Sequence, residues 1–267
     1  MRLIVNIIVC AKQVLDPETP VSGFVINEES VLIESRLGNP PVLNGFDENA
    51  VEAALRIKDA NNAEITVVSI GNNFVMDVMK KPISMGADNL VLVQGPEFEN
   101  LDPISTARAL YESIKQIGLP DLIICGRQAS DWDNSQVPLI LAELLDYNCL
   151  TLAQGITLEA NTIKVERVIP DGYQILESSL PALVTVSNEL GEPRYPTLRG
   201  IMSASKKDPQ IFSYNDLDVN LDQDKNSFTE TKLSIPEREQ DCEFIQGVDD
   251  EESGRLLAMK LREDGLI

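Results

Sequence analysis

Residues 180–209, LPALVTVSNELGEPRYPTLRGIMSASKKDP, combine a buried strand with a segment that no ordinary core element requires. The apolar residues 182–187 predict the strand. Pro193 and Pro196 then each remove a backbone donor and break the periodicity, so residues 194–203 are expected to form an irregular loop. Two apolar groups in this loop, Tyr195 and Leu198, can anchor in a pocket of a partner. The alternative is that Leu198 closes a small core over the loop.

Upstream of this stretch, strand and helix patterns alternate. Four short apolar runs rich in Val and Ile are typical of strands covered on both faces: residues 3–10, 64–70, 89–94 and 121–125. Helical patterns lie between them, over residues 46–60, 74–85, 104–117 and 135–145. The alternation predicts an α/β fold with a doubly wound, mostly parallel, Rossmann-like sheet. Ligands of such sheets bind beyond the carboxyl ends of the strands.

The second half of the chain has a different character. Residues 155–169 alternate apolar and polar side chains around a polar turn, which predicts a β-hairpin added to the main sheet. Beyond residue 208 the chain is acidic, and it ends in an amphipathic segment that Asp249 can cap as a helix. We predict an α/β domain over residues 1–208 and an extended C-terminal arm over 209–267. The final helix is expected to pack on another subunit, with packing on its own domain as the alternative.

Composition excludes several function classes. With 22 basic and 43 acidic residues, the net charge of −21 disfavours nucleic acid and anionic membranes as partners. The absence of histidine excludes Ser-His-Asp and Cys-His catalysis and histidine metal ligation. The four cysteines show no CxxC spacing, so a zinc or iron–sulfur site is unsupported. Without a membrane-length apolar run or a recognisable signal peptide, we expect a cytoplasmic protein with no membrane insertion.

Residues 121–138, DLIICGRQASDWDNSQVP, read as a buried strand, a glycine, a polar loop and a helix start. Backbone amides there, with Asn134, Ser135 and Gln136, can hold phosphate oxygens because a helix N-terminus favours anions. Asp131 and Asp133 are poor direct phosphate partners, but they can cap amides, accept from ribose hydroxyls or bind a metal. Every α/β protein contains such a unit, so the residues alone leave nucleotide binding open.

Together these motifs resemble the beta subunit of electron-transferring flavoproteins. That family carries the strand LPA-V-TV, the loop EPRY-TL and then IM-A-KK, and each piece is present here, with Ser205 replacing the first residue of the basic run. The family nucleotide loop, G-[KR]-Q-A-x-D-x-D-x-x-Q-[VT], matches at every fixed position: Gly126, Gln128, Ala129, Asp131, Asp133, Gln136 and Val137. The resemblance covers essentially residues 3–209, and it implies an electron-transfer subunit that is not an enzyme by itself.

The resemblance also implies site residues. The family pattern V-x-V-K-x-V appears at residues 9–14 with Ala11 as a departure, and N-P-[FD]-x appears at 44–47 with Gly45 replacing proline. Plain helix capping is the alternative role for Asn44 and Asp47. The implied nucleotide-binding residues are Cys10, Asn44, Phe46, Asp47, Ile70, Gly126, Arg127, Gln128, Ala129, Asp131, Asp133, Asn134, Ser135, Gln136 and Val137. The implied docking residues are Arg194, Tyr195, Leu198, Ile201 and Met202.

The resemblance implies a heterodimer with an alpha subunit and electron transfer between NADH or ferredoxin-type carriers and a flavin dehydrogenase. GRQA followed by D-x-D-x-x-Q-V looks closer to the electron-bifurcating branch, so FAD is expected here, with NAD(H) if the complex bifurcates. The alternative is structural AMP in a non-bifurcating subunit. Residues 165–168 lack the family's V-x-R-E glutamate. Because of this departure, the partner could be an acyl-CoA dehydrogenase, a 2-hydroxyacid (lactate-type) dehydrogenase or a quinone-linked oxidoreductase.

Two other protein classes fit the same sheet. A stand-alone nucleotide-binding stress-type protein would form homodimers and would not need the EPRYPTL loop. An adenylating enzyme would carry a phosphate loop such as S-G-G-x-D-S after the first strand, and Cys10-Ala11-Lys12-Gln13 is not one.

Overall fold

The computed structural model describes residues 4–27, 32–36, 38–219, 231–235 and 242–267. Within these ranges the strands are β1 (Val5–Cys10), β2 (Gln13–Val14), β3 (Phe24–Asn27), β4 (Leu32–Ser35), β5 (Val42–Leu43), β6 (Ala63–Gly71), β7 (Asn89–Gln94), β8 (Leu122–Gly126), β9 (Asn148–Glu159), β10 (Thr162–Ile169), β11 (Gly172–Ser179), β12 (Ala182–Val186) and β13 (Gln210–Phe212). The helices are α1 (Gly45–Ala60), α2 (Met76–Met79), α3 (Lys81–Met85), α4 (Pro103–Ile117), α5 (Val137–Leu145), α6 (Leu198–Ser205) and α7 (Asp250–Glu263).

The main sheet has the strand order β11-β10-β9-β12-β8-β1-β6-β7-β13 over the described chain. Every pairing from β9 to β13 across the sheet is parallel, whereas β10 pairs antiparallel with β9 and β11. The chain runs outward from β1 through β6 to β7 and then returns to the other side of β1 as β8. The topological switch point therefore lies between β1 and β8, and this is where ligands bind in such sheets.

Both faces of the sheet are covered, as the continuous apolar strands predict. Ile7 and Val9 pack with the residues of α1, whereas Ile8 and Cys10 pack with those of α4 and α5. Successive side chains of a strand point to opposite faces, so each parallel strand must be apolar on both. The predicted fold class, a doubly wound α/β sheet with an added hairpin, is confirmed.

Two predicted elements differ in the structure. The single helix expected over residues 74–85 is two short helices, α2 and α3, because Pro82 has no N–H with which to continue the first. The irregular loop expected over 194–203 becomes helix α6 from Leu198 onward. Thr197 accepts a hydrogen bond from the Gly200 N–H at 3.0 Å, and residues 198–205 contain no proline, so a helix can form.

The predicted hairpin is formed by β9 and β10, which pair Glu159 with Thr162 around a two-residue turn. A third antiparallel strand, β11, was not predicted, and it forms the exposed edge of the sheet.

The chain divides into two compact units, residues 1–232 and 233–267. The predicted start of the arm at residue 209 lies just before β13, which pairs with β7 and so belongs to the sheet. In the second unit Asp249 caps α7, as predicted, by accepting from the Glu252 N–H at 2.8 Å. The described helices include no segment of the length and apolar character needed to cross a bilayer.

Candidate functional site

A cavity of about 300 Å³ lies at the switch point of the sheet. Its walls come from the carboxyl ends of β1, β6 and β8, from Asp47 of α1, from the loops after β7 and β8, from α4 and from the start of α5. Its volume falls at the lower end of the range of small-molecule sites.

Most of the residues predicted to bind the nucleotide line this cavity. They are Cys10, Asp47, Ile70, Gly126, Gln128, Ala129, Asp131, Asn134, Ser135, Gln136 and Val137. Four others, Asn44, Phe46, Arg127 and Asp133, are not part of its wall. The structure gives each of these four a contact with the residues that form the wall or with one another.

Asn44 positions the loop that follows β8. Its side chain is buried, and it donates to the Gln128 carbonyl at 2.8 Å and accepts from the Ser130 N–H at 3.2 Å. It occupies the N-cap position of α1, but its side chain makes no capping hydrogen bond. Plain helix capping is therefore not the role of this side chain.

Asp47 joins the ends of β1 and β8 from beneath the cavity. Its carboxylate accepts from the Lys12 N–H at 2.7 Å and from the Gly126 N–H at 3.1 Å. Burial raises its pKa from 3.8 to about 7, although hydrogen bonds from Lys12, Asn44 and Gly126 and the charge of Lys12 act in the opposite direction. Burial therefore favours the protonated form of Asp47 more than that of an exposed aspartate.

Gly126 is required by the packing of α1. A Cβ at this position would lie 2.5 Å from Asp47 Oδ1 and 2.7 Å from Phe46 Cβ. The Arg127 guanidinium lies 4.8 Å from the centre of the Phe46 ring and donates to Ser187 Oγ at 3.3 Å. Phe46 and Arg127 therefore contact each other at the end of β8, and neither forms the cavity wall.

The loop between β8 and α5 is held by a network of polar contacts. Lys12 Nζ lies 2.6 Å from Asp131 Oδ2, which pins the loop to the end of β1. Gln128 donates to Asp133 Oδ1 at 2.7 Å and accepts from Ser135 Oγ at 3.2 Å. The carboxylates of Asp131 and Asp133 thus bond within the protein and shape the loop.

An anion is favoured where α5 begins. The Gln136 side chain does not cap this helix, and Pro138 lies in its first turn. Pro138 itself has no N–H, but the other backbone amides and the dipole at the start of α5 create a positive potential at the cavity wall formed by Asn134, Ser135 and Gln136.

Sequence reasoning missed several wall residues, notably Lys12, Ser69, Cys125 and Trp132. Ser69 is 1% exposed, and its Oγ has no hydrogen-bond partner among the described residues. A buried hydroxyl in this state needs a partner from the ligand or solvent. The available signal was a serine that interrupts the apolar run VVSIG at the carboxyl end of β6.

Cys10 and Cys125 face each other in register on β1 and β8. A side-chain hydrogen bond with Cys10, together with burial, holds the pKa of the Cys125 thiol well above its ordinary value. Cys125 therefore stays protonated and forms an apolar part of the wall.

The predicted docking segment exposes an apolar face. Leu198, Ile201 and Met202 lie at i, i+3 and i+4 of α6, and all three are exposed, as is Tyr195. Leu198 is 76% exposed, so the alternative that it closes a small core is wrong.

The opposite face of α6 packs on α3. A Cβ at Gly200 would lie 2.1 Å from the Ser84 carbonyl oxygen, and Ala204 is buried. Arg194 holds the start of the segment, since its guanidinium contacts Glu52 at 2.8 Å and Asp59 at 2.8 Å. These contacts raise the pKa of Arg194. Arg194 therefore tethers the segment to α1, and the exposed contact surface is apolar.

Comparison with known proteins gives one consistent family. The electron transfer flavoprotein domain matches residues 31–217. Electron transfer flavoprotein subunit beta of Thermoanaerobacterium thermosaccharolyticum is 34% identical over 250 residues, covering 91% of this chain and 92% of that protein. Caffeyl-CoA reductase-Etf complex subunit CarD of Acetobacterium woodii is 33% identical over 270 residues, covering 98% of this chain and 100% of that protein. The beta subunit of Sus scrofa is 37% identical over 228 residues, covering 84% and 86%. The family model covers most of the chain, and these relatives are more than 30% identical over most of their length, so the chain belongs to the family of electron transfer flavoprotein beta subunits.

Proposed function

We propose that this chain is the beta subunit of a heterodimeric flavoprotein that passes electrons between NADH or ferredoxin-type carriers and a partner flavin dehydrogenase. It holds a nucleotide, FAD or AMP, in the cavity between β1 and β8. The observation that carries the proposal is this cavity. It combines the start of α5, the loop that matches the family's nucleotide pattern, and the Ser69 hydroxyl, which has no hydrogen-bond partner among the residues that the structure describes.

The residues of the cavity fit the phosphate-bearing part of a nucleotide. The amides at the start of α5 and the side chains of Asn134, Ser135 and Gln136 would hold phosphate oxygens. Ser69 can supply a hydroxyl to a polar atom, and Val68, Ile70 and Leu101 provide an apolar wall for a ring. FAD, when bound, supplies the one- and two-electron chemistry, while the chain provides binding and orientation.

A role in electron transfer rather than in catalysis agrees with the chemistry of the wall. Its titratable groups are Asp47, which is engaged by two backbone amides, the Lys12–Asp131 pair, and two cysteines. None of these is arranged as a nucleophile beside a base within the described residues. The relatives are likewise named as electron transfer subunits.

The names of two relatives bear on the partner. One is a subunit of a caffeyl-CoA reductase–Etf complex, and another is the gamma electron transfer subunit of acryloyl-CoA reductase. They support, for this chain, a flavin dehydrogenase that acts on a CoA thioester. The proposal of an electron-bifurcating complex with FAD in this subunit rests instead on the GRQA loop followed by D-x-D-x-x-Q-V. A 2-hydroxyacid dehydrogenase remains the second candidate, because residues 165–168 lack the glutamate of the family pattern.

The decisive experiment is to purify the chain with its alpha subunit and identify the released nucleotides by chromatography. Two FAD per heterodimer, with NADH oxidation that reduces both a low-potential and a high-potential acceptor, is the result expected for a bifurcating subunit. One FAD and one AMP would assign the non-bifurcating alternative. A homodimer without bound flavin would contradict the proposal and favour the stand-alone nucleotide-binding class.

A further inference from the structure

We propose that Trp132 stacks on a planar ring of the bound nucleotide and strengthens its binding. The inference rests on the proposed function, because it places a ligand ring in the cavity between β1 and β8. Trp132 is part of the cavity wall, and it occupies a position that the family's nucleotide pattern leaves variable.

The exposure of Trp132 is the first observation. Its side chain is 44% exposed, although indole is among the largest apolar surfaces that a chain can bury. A tryptophan that lines a ligand cavity and is 44% exposed leaves aromatic surface that a ligand can cover. A planar ring is suited to this, and stacking tolerates different rings because every base has a π-face.

The loop around Trp132 is held in place before any ligand binds. The backbone N–H of Trp132 donates to Asp131 Oδ1 at 2.9 Å. Asp131 Oδ2 in turn contacts Lys12 Nζ at 2.6 Å. The Asp133 N–H donates to the Ala129 carbonyl at 2.9 Å. An aromatic side chain on such a braced backbone loses little conformational entropy on binding, which favours affinity.

Backbone conformation supports the same conclusion. Asp133 has a φ of 51° and Ser135 a φ of 55°, so two residues without the freedom of glycine adopt the left-handed conformation beside Trp132. Such conformations persist only where surrounding contacts enforce them, and they concentrate at ligand sites. Gln128 provides that enforcement by bonding to both residues.

A second, independent feature indicates that a ligand reaches this cavity. Ser69 Oγ, on β6, is buried in the wall without a hydrogen-bond partner among the described residues. The cavity therefore offers a polar group for the ligand from β6 and an aromatic face from the loop after β8. This pairing matches a nucleotide, which carries polar sugar and phosphate groups beside a planar ring.

The ring can be adenine, present in both AMP and FAD, or the isoalloxazine of FAD, and the test separates them. The full chain, freed of nucleotide, is titrated calorimetrically with AMP, FMN, FAD and ribose 5-phosphate. Because the chain has a single tryptophan, its fluorescence reports Trp132 alone. We expect AMP to change the fluorescence if adenine stacks. Stacking of isoalloxazine is read instead from the calorimetric affinity for FMN, because flavin absorption overlaps indole emission and quenches it at a distance. Ribose 5-phosphate, which has no aromatic ring, should leave the fluorescence unchanged.

Substitutions of Trp132 measure how much the indole contributes to nucleotide affinity. We expect Trp132→Ala to weaken the stacking ligand about 5- to 100-fold, and Trp132→Phe to restore most of the affinity. Ribose 5-phosphate affinity should be unchanged in both variants. Tyr173→Ala removes an exposed aromatic residue on β11 and should leave every affinity unchanged. Thermal melting of each variant controls for folding.

Equal affinity of wild type and Trp132→Ala for AMP, FMN and FAD would overturn the inference while leaving the proposed function standing. A fluorescence change only on addition of the alpha subunit, with nucleotide affinity unaltered in Trp132→Ala, would assign the indole to the subunit interface and overturn it likewise. No binding of any probe by the wild-type chain or by its heterodimer would overturn both the inference and the nucleotide assignment.

Discussion

At the scale of single residues, the candidate site depends on side chains that hold backbone segments in place. Asp47 bonds to the ends of β1 and β8, and Asn44 bonds twice to the loop that follows β8. Both were predicted to bind the nucleotide from the family pattern. Asp47 does line the cavity, whereas Asn44 acts through Gln128 and Ser130. The motif therefore predicted residues that lie at or beside one cavity, and whether they bind a nucleotide stays a prediction.

The raised pKa of Asp47 predicts a pH dependence of stability. The carboxyl titrates at about 7 in the folded chain, against 3.8 ordinarily, so the folded state holds a proton that the unfolded chain releases. The stabilising contribution of this proton is full below pH 4 and is lost as the pH rises to 7. The loss of this contribution should lower the free energy of unfolding by about 2–3 kcal/mol between pH 5 and pH 7.

This slope is measured by urea unfolding at several pH values in wild type and in Asp47→Asn. The variant cannot titrate, so its free energy of unfolding should depend much less on pH over that window. Asp77→Asn, which changes an exposed carboxylate on α2, should retain the wild-type slope. Identical slopes in wild type and Asp47→Asn would show that Asp47 is not the titrating group.

Leu198 is expected to anchor the partner dehydrogenase. Its exposed side chain lies on the apolar face of α6, so Leu198→Ala should weaken dehydrogenase binding by about 2 kcal/mol and leave the melting temperature unchanged. Binding of the heterodimer to the dehydrogenase is measured by surface plasmon resonance. Leu119→Ala, another exposed leucine, serves as the control. Equal loss of affinity in both variants would mean that the effect is not specific to the α6 face.

At the scale of elements, α6 combines a surface for docking with a surface for packing. Leu198, Ile201 and Met202 face outward, while Gly200 and Ala204 lie four residues apart on the side that meets α3. The sequence TLRGIMSAS contains this pattern, but the two prolines before it predicted an irregular loop over residues 194–203. The Thr197 cap and the close approach of Gly200 to Ser84 determine the helix instead.

Gly200→Ala should therefore displace α6. The added Cβ would lie 2.1 Å from the Ser84 carbonyl, a contact that only a shift of the helix can relieve. We expect a loss of about 1–3 kcal/mol in the free energy of unfolding, together with weaker dehydrogenase binding. Gly254→Ala in α7 has open space around its Cβ and should be neutral or stabilising. Unchanged stability and docking in Gly200→Ala would contradict the tight α3–α6 contact.

At the scale of the whole molecule, the chain forms two compact units with the boundary after residue 232. Leu217 lies in the first unit, buried in a cluster with Val93, Phe98 and Ala109. A truncation designed to test the predicted arm must therefore keep Leu217. Much of the stretch between β13 and the second unit lies outside the described residues, including the arm segment 220–230.

A chain that ends at residue 232 should keep its sheet and its nucleotide, because the cavity is built from residues of the first unit alone. If the second unit packs on the alpha subunit, the truncated chain should dissociate from that subunit at micromolar dilution. Size-exclusion chromatography and nucleotide content measure the two properties. Stoichiometric co-purification of the truncated chain would assign the second unit to another role.

The sequence by itself determined the fold class, the hairpin and the position of the loop between β8 and α5. Apolar runs on both faces require a parallel sheet with helices on each side, and turn chemistry places the hairpin, so local patterns carry this information. The tertiary structure alone decided which residues meet. Ser69, Lys12 and Trp132 come from three separate segments, and only the strand order β8-β1-β6 brings them to one cavity. The need for glycine at 126 and 200 likewise arises from neighbours that are distant in sequence, because close packing between elements is a property of the folded chain.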